Sequence, residues 1–195
     1  MATRITPIHR SDESGTSENF TDYLDQAGNG AWSYGLVGEW PKEISSGEGA
    51  SGTSGVVEAV TNGAGTIGYA DESQAGDLGT ANIKVGDEYV GPTAEAASKV
   101  LDISEPMDNQ PETSMAVSVA RTTEESGVYP IVLVSYVVAC PTYDDAETAD
   151  LVKGFLSYVV SEDGQQAAAD AAGSAPLSSD LSGKAGDLVG QIKAG

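Results

Sequence analysis

Arg10, Asp12, Ser14, Gly15 and Thr16 fall within one short stretch. Their types suit one task, the holding of an oxyanion. A guanidinium is a planar fork of N–H donors that matches phosphate or carboxylate oxygens. A carboxylate two residues on can pair with that fork and hold it still. The Ser14 and Thr16 hydroxyls add donors, and Gly15 lets an anion come close to the backbone. The chemistry needs this stretch to open a helix. The first N–H groups of a helix have no internal partner, and with the helix dipole they attract anions. An ordinary helix cap beside a surface Arg–Asp pair has the same spelling. The Gly-Lys-Ser/Thr of a nucleotide-phosphate loop is absent.

The flanking sequence supplies the elements that must position these residues. Residues 4–9 alternate loosely and read as a short strand, with Pro7 pointing to an edge or a strand start. Phe20, Tyr23, Leu24 and Ala27 follow at i, i+3, i+4 and i+7, the stripe of an amphipathic helix. Ser14 stands at its N-cap and Gly28 where a left-handed residue is expected. Residues 45–55 read as a Gly/Ser-rich loop. The string Gly47-x-Gly49-x-x-Gly52 inside it follows no clear strand, which a dinucleotide site requires. Next come a short helix ending near Asn62-Gly63, a strand over 66–70, a hairpin turning at Gly86-Asp87 and a helix opened by Pro92-Thr93. Residues 131–139 form a continuous apolar run, the pattern of a strand buried on both faces of a sheet. Asp144-Asp145 opens another helix, Gly173 stops the next, and a weak one follows Ala175-Pro176-Leu177. Alternating strands and helices make the class α/β.

The 195 residues hold 9 Lys and Arg against 30 Asp and Glu, a net charge of −21. Such a field repels phosphodiester backbones and anionic membrane surfaces, so no nucleic-acid partner is expected. A small oxyanion is a different case. Repulsion is screened beyond ~8 Å at physiological salt, whereas charge-assisted hydrogen bonds inside a cleft contribute about 1.5–3 kcal/mol each. The single Cys140 and single His9 exclude an intrachain disulfide and a Cys- or His-rich metal site. The carboxylates are scattered, and Asp108, Glu112 and Glu124-Glu125 do not spell a calcium loop. His9 could serve Ser14 as a base, with Asp12 as orienter. Strand neighbours face opposite sides, however, and no Gly-x-Ser-x-Gly elbow surrounds Ser14. No catalytic residue, metal or cofactor is expected. No stretch approaches ~20 apolar residues, and residues 1–4 lack an apolar leader core, so neither a spanning helix nor a signal peptide is expected in this chain.

Four stretches together resemble the substrate-binding protein of the bacterial phosphate ABC importer. His9-Arg10-Ser11-Asp12-Glu13-Ser14-Gly15-Thr16-Ser17, running into Phe20-Thr21-Asp22-Tyr23-Leu24, is similar to the family's Arg-x-Asp-x-Ser-Gly-Thr signature and its helix. Gly63-Ala64-Gly65-Thr66-Ile67-Gly68-Tyr69 resembles its Gly-x-Ile-Gly-Tyr strand. Tyr129-Pro130-Ile131 into Ser135-Tyr136 resembles the entry to its crossing strand. Phe155-Leu156-Ser157-Tyr158, Asp163-Gly164-Gln165 and Ala175-Pro176-Leu177 resemble its C-terminal helices.

The resemblance implies a type II periplasmic-binding-protein-like fold, a mixed sheet flanked by helices, with two lobes joined by crossing segments. Residues 1–134 would form the phosphate-binding lobe, and 135–195 the C-terminal part of the other lobe. Arg10, Ser14, Gly15 and Thr16 would contact inorganic phosphate, and Asp12 would orient Arg10. The Gly/Ser-rich loop departs from the family, so no ligand is carried over from it. The family's N-terminal portion, with further donors and a proton-accepting carboxylate, has no counterpart here. The implied role is extracytoplasmic capture and delivery to the permease subunits of an ABC importer, not catalysis. Self-association through residues after Tyr136 is one expected outcome. The alternatives are a binding protein for sulfate or molybdate, a secreted serine hydrolase using Ser14, and an adhesion-like module.

Overall fold

A computed structural model describes residues 4–195; residues 1–3, where most of the leader expectation falls, lie outside it. The first unit is a strand–helix repeat. β1 (Thr6–Arg10) leads into α1 (Gly15–Ala27), β2 (Glu48–Ala50) into α2 (Gly52–Asn62), and β3 (Thr66–Gly68) completes a parallel sheet in the order β2-β1-β3. Ile8 of β1 is in register with both Glu48 and Gly68. It is 2% exposed and Val56 of α2 is 1% exposed, which makes them the inner layer between sheet and helix. α2 covers the sheet because parallel strands need a crossover on a face.

β4 (Ile83–Val85) and β5 (Glu88–Val90) form the expected hairpin, and α3 (Ala94–Asp102) opens on the cap Thr93, whose hydroxyl accepts from the Ala96 N–H at 3.2 Å. Val85, Val90 and Ala96 pack there with Ile83 and Tyr129. β6 (Glu105–Pro106) and β7 (Val117–Ser118) pair as a short antiparallel ladder. The C-terminal part has its own core. β8 (Thr142–Tyr143), α4 (Ala146–Val159), α5 (Glu162–Ala172), α6 (Ser179–Gly190) and β9 (Lys193–Ala194) follow, with β8 and β9 parallel. Leu156, Val189 and Ile192 pack with Ala139, Tyr143 and Val152. The two parts touch where Ser98 donates to the Pro176 carbonyl and Ser178 to Asp102, at 2.8 and 2.6 Å. No described helix is long and apolar enough to cross a membrane.

Several expectations need correction. β1 lies at the centre of its sheet, so of the two places Pro7 pointed to, the strand start holds and the edge does not. Pro7 pairs in register with Ile67, but the bonds to β3 come from its neighbours, as in the Thr6 N–H to the Gly65 carbonyl at 2.9 Å, so its missing N–H costs that ladder nothing. Residues 45–55 are not a flexible loop but carry β2 and the start of α2. Gly47 makes this possible: its φ of +104° suits glycine, and a Cβ there would stand 2.6 Å from the Pro7 carbonyl oxygen. Gly28 is not left-handed, with φ at −77°; Asn29 and Gly30 take the positive φ. Glycine is required at 28 for another reason, since a Cβ would meet the Leu24 carbonyl oxygen at 2.2 Å.

The largest correction concerns residues 131–139. The run is neither laddered nor buried: Leu133 is 61%, Val137 63% and Val138 93% exposed. Among the described residues no strand lies alongside it, and a buried strand needs neighbours for its backbone as much as for its side chains.

Candidate functional site

Arg10 is the last residue of β1, and its side chain is only 12% exposed. Its Nε donates to Asp12 Oδ1 at 2.9 Å and its Nη2 to Asp12 Oδ2. Asp12 Oδ1 also accepts the Gly52 N–H at 3.0 Å, the first residue of α2. One carboxylate thus ties the guanidinium to the start of a second helix. Hydrogen bonding from Arg10, followed by that from Gly52, pulls the Asp12 carboxyl well below the ordinary carboxylate range. The same bond from Asp12 raises Arg10 above its ordinary value, against a lesser effect of burial. The pair is therefore fully ionised at neutral pH. Asp12 occupies the Nε–Nη2 edge only. The end-on edge, with Nη1, has no partner among the described residues and remains available for an oxyanion.

Ser14 caps α1 as its spelling predicts. Its backbone is extended, and its Oγ accepts the Thr16 N–H at 3.1 Å. Its own N–H donates to the Gly38 carbonyl at 3.1 Å, and its carbonyl accepts from Glu18. The Gly15 and Ser17 N–H groups have no partner among the described residues. A Cβ at Gly15 would meet nothing within 4 Å, so the approach to the Gly15 amide is open, whereas Ser17 is buried. The arrangement offers the Gly15 amide, two hydroxyls and a fixed guanidinium edge to an anion.

Pattern reading missed the groups that hold this loop. Tyr69, directly after β3, accepts the Arg10 N–H at 3.2 Å, and its hydroxyl lies 2.6 Å from Ser17 Oγ. The buried positions of α1 are Ser17 and Thr21, each 0% exposed, not the apolar stripe. Thr21 accepts the Val37 N–H at 3.0 Å and donates back to the Val37 carbonyl, pinning residues 30–41 onto the helix. That segment stacks Trp40 on His9, with ring centroids 4.8 Å apart and planes 8° apart. Arg121 is buried as well: it donates to Asp22, Asn19 and the Pro130 and Val132 carbonyls, at 2.7–3.1 Å. It ties α1 to the start of the apolar run at 131–139. Only the signature around Tyr69 and the run of hydroxyls in α1 hinted at any of this.

A hydrolytic reading finds no support. His9 Nδ1 is bonded to the Arg10 carbonyl at 2.9 Å, and the Ser14 hydroxyl accepts from an amide, with no bond between the two side chains. Among the described residues no three His, Cys, Asp or Glu side chains gather as a metal site.

Comparison with known proteins places the chain in a family. The family model described as a PBP superfamily domain matches residues 1–163. A phosphate-binding protein PstS 2 of Mycobacterium tuberculosis is 34% identical over 194 residues, covering 97% of this chain and 51% of its own length. A phosphate-binding protein PstS 3 of Mycobacterium leprae is 33% identical over 167 residues, covering 82% of this chain and 45% of its own. The chain thus spans about half the length of the curated relatives it matches. Among solved structures, a high-affinity periplasmic phosphate-binding protein bound with phosphate (PfluDING) superposes with a TM-score of 0.62 at 21% identity, over 93% of this chain and 56% of that one. A human phosphate-binding apolipoprotein gives 0.57 at 18% identity, over 93% and 57%. These two likenesses concern the fold.

Proposed function

The chain belongs to the PBP superfamily, and from that premise we propose that it captures inorganic phosphate at the start of α1. The observation that carries this reading is the Arg10 guanidinium, fixed by Asp12 with its Nη1 unpartnered among the described residues, together with the open, unpartnered amide of Gly15 at the start of α1. Arg10, Ser14, Gly15 and Thr16 bind the anion and Asp12 holds Arg10. The relatives are phosphate-binding proteins by name, which favours phosphate over sulfate or molybdate and binding over hydrolysis.

The domain reading stays with this proposal. Residues 1–134 carry the site and one apolar core, and all members of the other core come after 134, as expected for the C-terminal part of a second lobe. Capture proceeds by closure of two lobes around the ligand. The whole protein works outside the cytoplasm and hands phosphate to the permease subunits of an ABC importer. The exposed apolar residues after Tyr136 (Val137, Val138, Leu151, Phe155 and Tyr158 among them) support self-association of this chain when it is alone.

Isothermal titration tests the site. This chain alone is expected to bind phosphate weakly, because only one lobe's donors are in place; nanomolar affinity would contradict the division into lobes. Arg10→Lys should weaken binding about tenfold or more, since a lysine has no planar fork, while Ser11→Ala should change it less than twofold. Equal effects of the two substitutions would remove Arg10 from the site. Displacement by sulfate or molybdate at lower concentration than by phosphate would reassign the ligand.

A further inference from the structure

We infer that Tyr69 is a positioning residue of the oxyanion site, acting through Arg10; this rests on the phosphate reading above. Residues 11–14 form the short loop between the strand end that carries Arg10 and the helix start that carries the open Gly15 amide. The Tyr69 hydroxyl touches both ends of it, the Arg10 N–H at 3.2 Å and Ser17 Oγ at 2.6 Å. One oxygen therefore sets the spacing between the guanidinium's anchor and the first turn of α1.

The clasp is itself held in place. The Tyr69 ring stacks on Phe20 of α1, with centroids 4.5 Å apart and planes 19° apart, and lies 6.1 Å from Trp40, which stacks in turn on His9 of β1. The ring cannot swing without disturbing both elements. Ser17 is fully buried, so no water replaces a lost phenol at its hydroxyl without rearrangement. Tyr69 is 59 residues from Arg10 and contacts its backbone N–H and the Ser17 hydroxyl, not the guanidinium. Its contribution is to the geometry of others, and a shift of about 1 Å in such a donor set costs on the order of 100-fold in function.

The test is a double-mutant cycle on the full chain, with inorganic phosphate titrated into wild type, Tyr69→Phe, Arg10→Lys and the double variant. Tyr69→Phe removes only the hydroxyl and should weaken phosphate binding about tenfold. In the Arg10→Lys background the same change should weaken it less than twofold, because the fork it positions is already gone. A residue that merely supports the fold would give the same loss in both backgrounds, and that result would overturn the inference. Ser17→Ala, which removes one of the two bonds, should follow the same pattern with a smaller loss if Tyr69→Phe folds poorly. Hydrogen exchange without phosphate decides the point independently. Tyr69→Phe should speed exchange of both the Arg10 amide and its Nε–H; acceleration confined to the amide would overturn the inference. A wild-type chain that takes up no phosphate would defeat the ligand assignment, while the exchange result would still decide the clasp.

Discussion

The loop at residues 10–17 and the run at 131–139 carry comparably strong sequence patterns, yet only one has the environment its pattern implies. Around the loop the groups that set its shape find partners within a few residues or beside the same small sheet. Arg10 meets Asp12, Ser14 caps α1, and Tyr69 closes the gap. The apolar run has the composition of a buried strand, but Val137 and Val138 face solvent. α4 repeats the contrast on a single helix. Leu156 is buried against Val189, while Leu151, Phe155 and Tyr158 form an exposed face, 72%, 62% and 53% accessible. Local patterns that close on themselves are realised by the chain alone. Patterns that demand a neighbour are realised only where the neighbour is present.

Breaking the joint between the two regions should give the largest effect. Arg121→Met would strand Asp22 and two carbonyls around a buried site, a loss of about 3–5 kcal/mol in unfolding free energy. Denaturant melts of the variant would measure it, and a loss below about 1 kcal/mol would mean that α1 and the segment around Pro130–Val132 are held together by other contacts.

A smaller effect belongs to the site itself. The folded Asp12 carboxyl titrates below its unfolded value, so its stabilisation is present above the ordinary carboxylate range and is lost as pH falls through the lower, folded value. Wild type should therefore lose stability below about pH 4 more steeply than Asp12→Asn, and parallel acid profiles would show the pair to be idle.

The exposed face should give the smallest change in stability. Phe155→Lys is expected to alter unfolding by less than about 0.5 kcal/mol, because its ring has little to leave. In sedimentation, wild type should self-associate at high concentration and the variant should not. A strictly monomeric wild type would show that the face does not recruit a second copy.

Much of the fold was legible because its signals are local. The caps at Ser14, Thr93 and Asp145 and the stop at Gly173 each satisfy helix-end groups within one turn. The Arg10–Asp12 pair is equally local, two residues apart on one strand exit. The Gly47–Gly52 segment was harder to read. Its composition is that of a loop, and what makes it a strand is the parallel partner β1.

The sequence by itself determined the helices, the hairpin turn, the cap at Ser14 and the Arg10–Asp12 pair, since short-range sterics and hydrogen-bond valence act between near neighbours. Tertiary structure alone decided that Tyr69 bridges Arg10 and Ser17, that Asp12 reaches the first amide of α2, that Ser17 and Thr21 take the buried places on α1, that Arg121 is buried against that helix, and that 131–139 lies open. These depend on contacts between residues far apart in sequence, and burial belongs to the pair of surfaces that meet, not to either one.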